Sequence, residues 1–230
     1  LYTVIEAQYC LSLYEQAVES YRKALDLNPG LEEANENIAN ALMAVGKTAE
    51  AMEFYKKVVE NDKNNYRVHF ALGRLYAASN KMDEAVSAFR ESIRLNPGFA
   101  PAYDELGNLL MKNGQYEEAA EVYKRYTFLS PTDYRGFYNL GNALYNNGSR
   151  KESVVCFRKA VKINPEDYRS YYNLAIALDD LGEYEEAIDC LKKAIEIKDD
   201  FVDAYNNLGI TLSTLGRHLE ALETYTRGLK

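Results

Sequence analysis

One pattern of apolar and small positions recurs along the chain. Ile38, Leu72, Leu106, Leu140, Leu174 and Leu208 share a slot, and the residue after each is small: Ala39, Gly73, Gly107, Gly141, Ala175, Gly209. A second small slot runs through Ala17, Ala51, Ala85, Ala119, Ser153, Ala187 and Ala221. Four residues later a large side chain follows each time, at Tyr21, Tyr55, Phe89, Tyr123, Phe157, Leu191 and Tyr225. The period is 34 residues, clearest in Tyr134–Asp167, which meets a copy of itself one period away in either direction. Self-similarity of this length is the signature of stacked units that bury their apolar faces against one another.

Each period reads as two amphipathic helices joined by a tight turn. Gly46, Asn80, Gly114, Gly148, Gly182 and Gly216 hold the turn position, where a left-handed residue ends a helix and Asn is the best substitute for Gly. Ser12 falls in that slot near the start. Pro29, Pro97, Pro131 and Pro165 mark the ends of second helices, while Lys63 and Asp199 replace the proline in two softer junctions. Units therefore begin at Glu32, Tyr66, Ala100, Tyr134, Tyr168 and Val202, after a partial unit over residues 1–31, and the last unit is cut short at Lys230. In the fourth unit the helices are expected over about Arg135–Asn147 and Arg150–Ile163. The expectation is an all-α solenoid of seven antiparallel helix pairs, one array over 1–230. Small residues facing each other would let the two helices of a pair approach, so a large residue at Gly141 should overpack the pair.

An aromatic three residues before Leu-Gly, the turn Gly, then Ala, Phe/Tyr, Ala and Pro at fixed offsets resemble the tetratricopeptide repeat over essentially the whole chain. The resemblance implies a right-handed superhelix whose first helices line a concave groove. The usual Trp of the first helix is replaced by Asn35, His69, Tyr103, Phe137, Tyr171 and Tyr205. Asn35 and His69 should loosen their helices, and Tyr126, where Ala160 and Ala194 stand in later units, should require a local adjustment.

Composition fits a soluble, folded chain, 47% hydrophobic and 27% charged, with no apolar run near the ~18 residues of a membrane span. The start lacks a basic leader and an initiator Met, so the chain reads as an excerpt of a longer protein. A net charge of −8 and no basic run argue against nucleic acid as partner. Three sparse cysteines favour a reducing, cytoplasmic setting, and Cys156 and Cys190, one period apart, sit too far apart for an easy disulfide. Asn147-Gly148-Ser149 reads as a chance glycosylation sequon at a turn.

Catalytic chemistry finds no foothold. There is no nucleotide-binding glycine loop, HExxH, nucleophile elbow or CxxC pair. His69 and His218 read as structural, and the pairs Glu117-Glu118 and Glu185-Glu186 complement the dipole of second helices. No cofactor or metal is expected, and the chain is not expected to be an enzyme.

Function should then lie on the first helices. The resemblance places Arg135, Tyr138, Asn139, Asn142, Tyr145 and Asn146 on the groove in the fourth unit, and Arg169, Tyr172, Asn173, Ile176, Asp179 and Asp180 in the fifth. Asn37, Asn139, Asn173 and Asn207 share one place, and Asn40, Asn108 and Asn142 another. A carboxamide both donates and accepts, which suits the backbone of an extended peptide. The series resembles the asparagine ladder of O-linked N-acetylglucosamine transferase repeats, interrupted here by Ala71 and Glu105. Asn65-Tyr66-Arg67, Asp133-Tyr134-Arg135 and Asp167-Tyr168-Arg169 each read as an N-cap, a Tyr packed on the preceding hairpin and an Arg turned to the groove. With Arg74 and Lys112 they give a cationic middle suited to an acidic extended segment, and Asp179, Asp180 and Asp203 make the later groove negative. The Lys/Asn/Arg clamp for heat-shock chaperone C-termini is not met in any three units. The expected function is a protein-interaction scaffold holding a peptide. The alternatives are a substrate-selecting domain of a larger enzyme such as a glycosyltransferase, or a self-assembling scaffold forming homo-oligomers.

Overall fold

The computed structural model describes residues 2–28 and 31–229, with the backbone alone for residues 2–12 and Glu32. Among them all regular structure is helical: α1 (Tyr2–Leu27), α2 (Glu32–Ala44), α3 (Thr48–Asn61), α4 (Tyr66–Ala78), α5 (Met82–Leu95), α6 (Ala100–Lys112), α7 (Tyr116–Leu129), α8 (Tyr134–Asn146), α9 (Arg150–Ile163), α10 (Tyr168–Asp179), α11 (Tyr184–Ile197), α12 (Val202–Thr214) and α13 (His218–Gly228). The fold is an all-α solenoid of helix pairs. First helices start where the register of the sequence places them, and in the fourth unit the first helix lies one residue earlier at each end than expected.

The opening partial unit differs. α1 is a single helix of 26 residues that runs straight through Ser12, so no turn forms there and no hairpin precedes α2. Neither Gly nor Asn stands in the slot, and without a residue at ease in left-handed backbone the helix has no cause to stop. Pro29, expected to end that unit, lies outside the described residues.

The other turns form one after another by the same device. Gly148 has φ +86°, and the five equivalents include Asn80 at +57°, the one left-handed residue other than Gly among those described. In the α8–α9 turn the Ser149 N–H donates to the Leu144 carbonyl (2.8 Å) and the Gly148 N–H to that of Tyr145 (3.0 Å). These are the paired bonds of a Schellman cap, which satisfy carbonyls the helix end leaves open. Pro97, Pro131 and Pro165 follow two residues after the ends of α5, α7 and α9.

Two compact units divide the chain within α6, one up to Glu105 and one from Leu106. The core of the first joins Ile38, Leu42, Tyr55, Val58, Val68, Leu72 and Leu75, with Phe70 edge-on to Phe99 at 5.1 Å. The core of the second joins Phe157, Leu174, Leu178, Ile188, Leu191, Leu208 and Leu212. Each such side chain contributes roughly 1.5–3 kcal/mol by leaving water. Asn35, in a Trp slot, is as buried as Tyr103 in the same slot, both 8% exposed, so the loosening expected at Asn35 is not seen.

The small slot after Leu has a sharper cause than two small residues facing each other. A Cβ at Gly141 would stand 2.6 Å from the Phe157 ring, and Gly73, Gly107 and Gly209 meet Phe89, Tyr123 and Tyr225 in the same way. The aromatic ring of the second helix occupies the space of the missing methyl. Tyr126 shows the adjustment its size demands. Its ring lies 2.6 Å from where a Cβ on Gly136 would be, and its hydroxyl donates to Asp133 at 2.7 Å. No described helix is long and apolar enough to cross a membrane.

Candidate functional site

Within the second unit the first helices α8, α10 and α12 are tied to one another by side chains. Asn173 donates through Nδ2 to Oδ1 of Asn142 (2.7 Å). Asn207 donates to the Tyr172 hydroxyl (2.8 Å), and the Thr211 hydroxyl donates to Asp179 (2.7 Å). The Tyr145 hydroxyl donates to Asp180 (2.8 Å), which also pairs with Arg150 Nε at 3.3 Å. Helical spacing explains the assembly: Tyr172, Asn173, Ile176 and Asp179 fall on one side of α10, with Asp180 following as its C-cap, away from buried Leu174, Ala175, Ala177 and Leu178.

The asparagine series splits into two uses. Asn108 accepts from the Tyr123 hydroxyl (2.7 Å) and Asn40 from that of Tyr55, both inside their own hairpins. In the fourth unit Phe157 replaces the tyrosine, no hydroxyl is available, and Asn142 accepts from the next unit instead. Asn146 donates to the Asn142 carbonyl (2.8 Å). Asn139 is half-buried on the same helix.

The N-cap readings hold. Asn65 accepts from the Val68 N–H (3.2 Å), Asp133 from the Arg135 N–H (3.0 Å) and Asp167 from the Ser170 N–H (3.0 Å). Tyr66 meets Phe99 (5.0 Å) and Tyr168 meets Phe201 (5.0 Å), at the end of their own hairpins. Those phenylalanines stand where α5 and α11 hand over to the next helix, so each ring closes its own unit.

The arginines are held differently. Arg67 and Arg169 donate through Nε to the hydroxyls of Tyr66 (3.1 Å) and Tyr168 (3.2 Å). Arg135 instead forms a two-pronged pair with Asp133, at 3.0 and 2.8 Å. That guanidinium, helped by the Tyr126 hydroxyl and the Arg135 N–H against the opposing effect of burial, holds the Asp133 carboxyl down at about 2. Arg74 pairs with Glu105 at 3.4 Å in the first unit. Lys112 is exposed in the last turn of α6. The cationic middle is therefore partly neutralised from within. Burial, with Asp203 and against Asn207, raises the Tyr172 phenol. Burial and Asp180 raise that of Tyr145.

Arg67 and Arg74 belong to the first compact unit and the other candidates to the second, where hydrogen bonds join Asn142 to Asn146 and Asn173, and Tyr172 to Asn207. Thr211 and Arg150 were not foreseen. Thr211 places a hydroxyl where Ala143 and Ala177 stand, a readable departure. Arg150 occupies a variable slot and carries no such mark. Of the histidines, His69 bonds the Lys63 carbonyl at 3.0 Å. Among the described residues no cluster of histidine, cysteine and carboxylate groups could hold a metal ion.

A sequence model described as Tetratricopeptide repeat matches residues 7–66, 36–100 and 70–134, over half of the chain. The chain belongs to the tetratricopeptide repeat family. Further tetratricopeptide repeat models match 134–167, 156–189 and 177–216. No curated protein matches this repeat chain. Among solved structures it is similar to YrrB, described as a TPR protein with an unusual peptide-binding site, at 26% identity and TM-score 0.74, over 81% of this chain and 96% of that one. It is similar to MamA at 25% identity and TM-score 0.67, over 69% and 92%. The C-terminal part of a TPR repeat-containing protein from Cytophaga hutchinsonii shares the fold at 17% identity and TM-score 0.80, over 97% and 93%.

Proposed function

We propose that this tetratricopeptide repeat chain is a single array acting as a protein-interaction scaffold, a binder and not a catalyst, with a peptide segment of a partner lying on the first-helix face of α8, α10 and α12. The observation that carries the reading is the set of side-chain bridges across those helices. They fix the orientation of amides and hydroxyls along the border of the core, against which Tyr145 and Tyr172 pack, and a fixed orientation is what a preformed binding face needs. YrrB, of the same family, is described as having a peptide-binding site. The Arg residues at the start of α8 and α10 favour an acidic segment over nucleic acid. A reducing, cytoplasmic setting suits Cys156 and Cys190, free buried thiols that burial raises to about 11 and about 12.

The test places a photo-crosslinking benzoylphenylalanine at Tyr138 on α8 or, as control, at Phe128 on α7, which is 77% exposed. Crosslinks to partner peptides are expected from position 138, and the Arg135→Glu/Arg169→Glu variant should abolish them while keeping its helical circular dichroism. Equal crosslinking from both positions, or indifference to the charge reversal, would sink the assignment.

A further inference from the structure

The first-helix face changes character between its fourth and fifth units. Asn142 on α8 is replaced by Ile176 on α10 and by Ile210 on α12, which is 54% exposed. Along each helix the isoleucine falls between the two bridging residues, Ile176 between Tyr172 and Asp179 on α10 and Ile210 between Asn207 and Thr211 on α12. The face there offers apolar surface beside fixed polar groups, so an apolar side chain would gain by leaving water on it.

Two other groups point to what sits beside it. Arg169 hydrogen-bonds the Tyr168 hydroxyl and forms no direct ion pair among the described residues, although the Asp167 carboxylate lies near enough to attract it. Its remaining N–H groups are a bidentate carboxylate site. Asn173 gives its Nδ2 to Asn142, which fixes the carboxamide and leaves Oδ1 to accept from a peptide N–H. These groups follow one another along α10. Arg169 and Ile176 are separated by seven residues, about 10 Å at ~1.5 Å per residue. A peptide in the extended polyproline II form turns once in three residues and advances about 3.1 Å per residue. Side chains three positions apart therefore point the same way and stand about 9 Å apart, close to that distance.

We infer that this face reads an extended segment carrying an acidic residue three positions from an apolar one. The carboxylate sits on Arg169, the apolar side chain on Ile176 and Ile210, and a backbone N–H between them on Asn173. The inference rests on the peptide-binding reading above and adds the partner's sequence rule to it. Either chain direction satisfies the three points.

A randomised peptide library displayed on phage is the probe, panned against the full chain, Ile176→Asn and Arg169→Glu. Ile176→Asn copies the residue the fourth unit already has, and unchanged circular dichroism verifies folding. In wild type, Asp or Glu paired with Leu, Ile or Phe at a spacing of three should be enriched at least about fivefold over the same pair at other spacings. Ile176→Asn should lose the apolar preference, and Arg169→Glu should exchange the acidic preference for Lys or Arg. Binders without that spacing, or a spacing that survives Ile176→Asn, overturn the inference and leave peptide binding standing. An absence of binders in every arm overturns both.

Discussion

The α8–α9 and α10–α11 hairpins are built on the same slots one period apart, yet they fill one contact in opposite ways. In α8–α9 the Phe157 ring lies where a Cβ on residue 141 would stand, so Gly holds the slot. In α10–α11 the ring gives way to Leu191, 1% exposed, and Ala175 carries a methyl. The slot is thus specified as a pair and not as a small residue in itself. Ala39 opposite Tyr55 in α2–α3 shows that the pairing is a cost and not a prohibition. On the outside the two hairpins part company again, with Asn142 on one and Ile176 on the other. Packing repeats because each unit must meet the next; the exposed face is free to differ.

The largest effect should come from exchanging the two solutions. Gly141→Ala adds a methyl against a ring that close packing holds, and overpacking of this kind costs about 1–3 kcal/mol. In a Phe157→Leu background the same Gly141→Ala change should stabilise instead, by about 1 kcal/mol, since the clash is gone and Ala is the better helix former. Urea unfolding midpoints for the two single variants and the double give the cycle. A coupling near zero would mean that the ring is not what excludes the methyl.

Next comes the N-cap. Asp133 receives the Tyr126 hydroxyl and the Arg135 guanidinium besides its backbone bond, whereas Asp167 receives the Ser170 hydroxyl and N–H. With its folded-state pKa lowered to about 2, Asp133 contributes stability that is fully present above the unfolded value near 3.8. That contribution fades as pH falls through about 2. Asp133→Asn should therefore cost roughly 1–2 kcal/mol at neutral pH. The gap from wild type should narrow steadily below pH 4. A gap that stays constant down to pH 2 would show that the charge of Asp133 plays no part.

What the sequence disclosed follows the same division between packing and face. Turn positions were legible because left-handed backbone admits Gly and Asn almost alone, and Asn80 carried that signal as clearly as the glycines. Slot residues were legible because each is repeated under one steric demand. Ser12 misled because a register position without a left-handed residue makes no turn. The Gly–ring pairing was hidden because it joins two slots 16 residues apart in sequence, each of which looks unremarkable alone. On the face, the asparagines stood out, but their partners did not. Whether an Asn bonds its own hairpin or the next unit depends on a hydroxyl at Tyr123 that Phe157 lacks. Arg135 read as an open cation because its pairing with Asp133 is a local choice of rotamer that composition does not reveal.

The smallest expected change is also the one that separates face from frame. Asn142→Ile gives α8 the residue of α10 and removes the acceptor of the Asn173 amide. The bond is half-buried, so Asn173 can turn to water or to the peptide, and the loss should stay within about 0.5–1.5 kcal/mol. Peptide binding should respond more than stability does, because the amide of Asn173 is no longer held in one orientation. Backbone amide shifts of α10 on adding a bound peptide, set beside the urea midpoint, measure the two together. A loss well beyond about 2 kcal/mol with binding unchanged would make Asn142 part of the frame, and the bridged face would lose its claim to be a site.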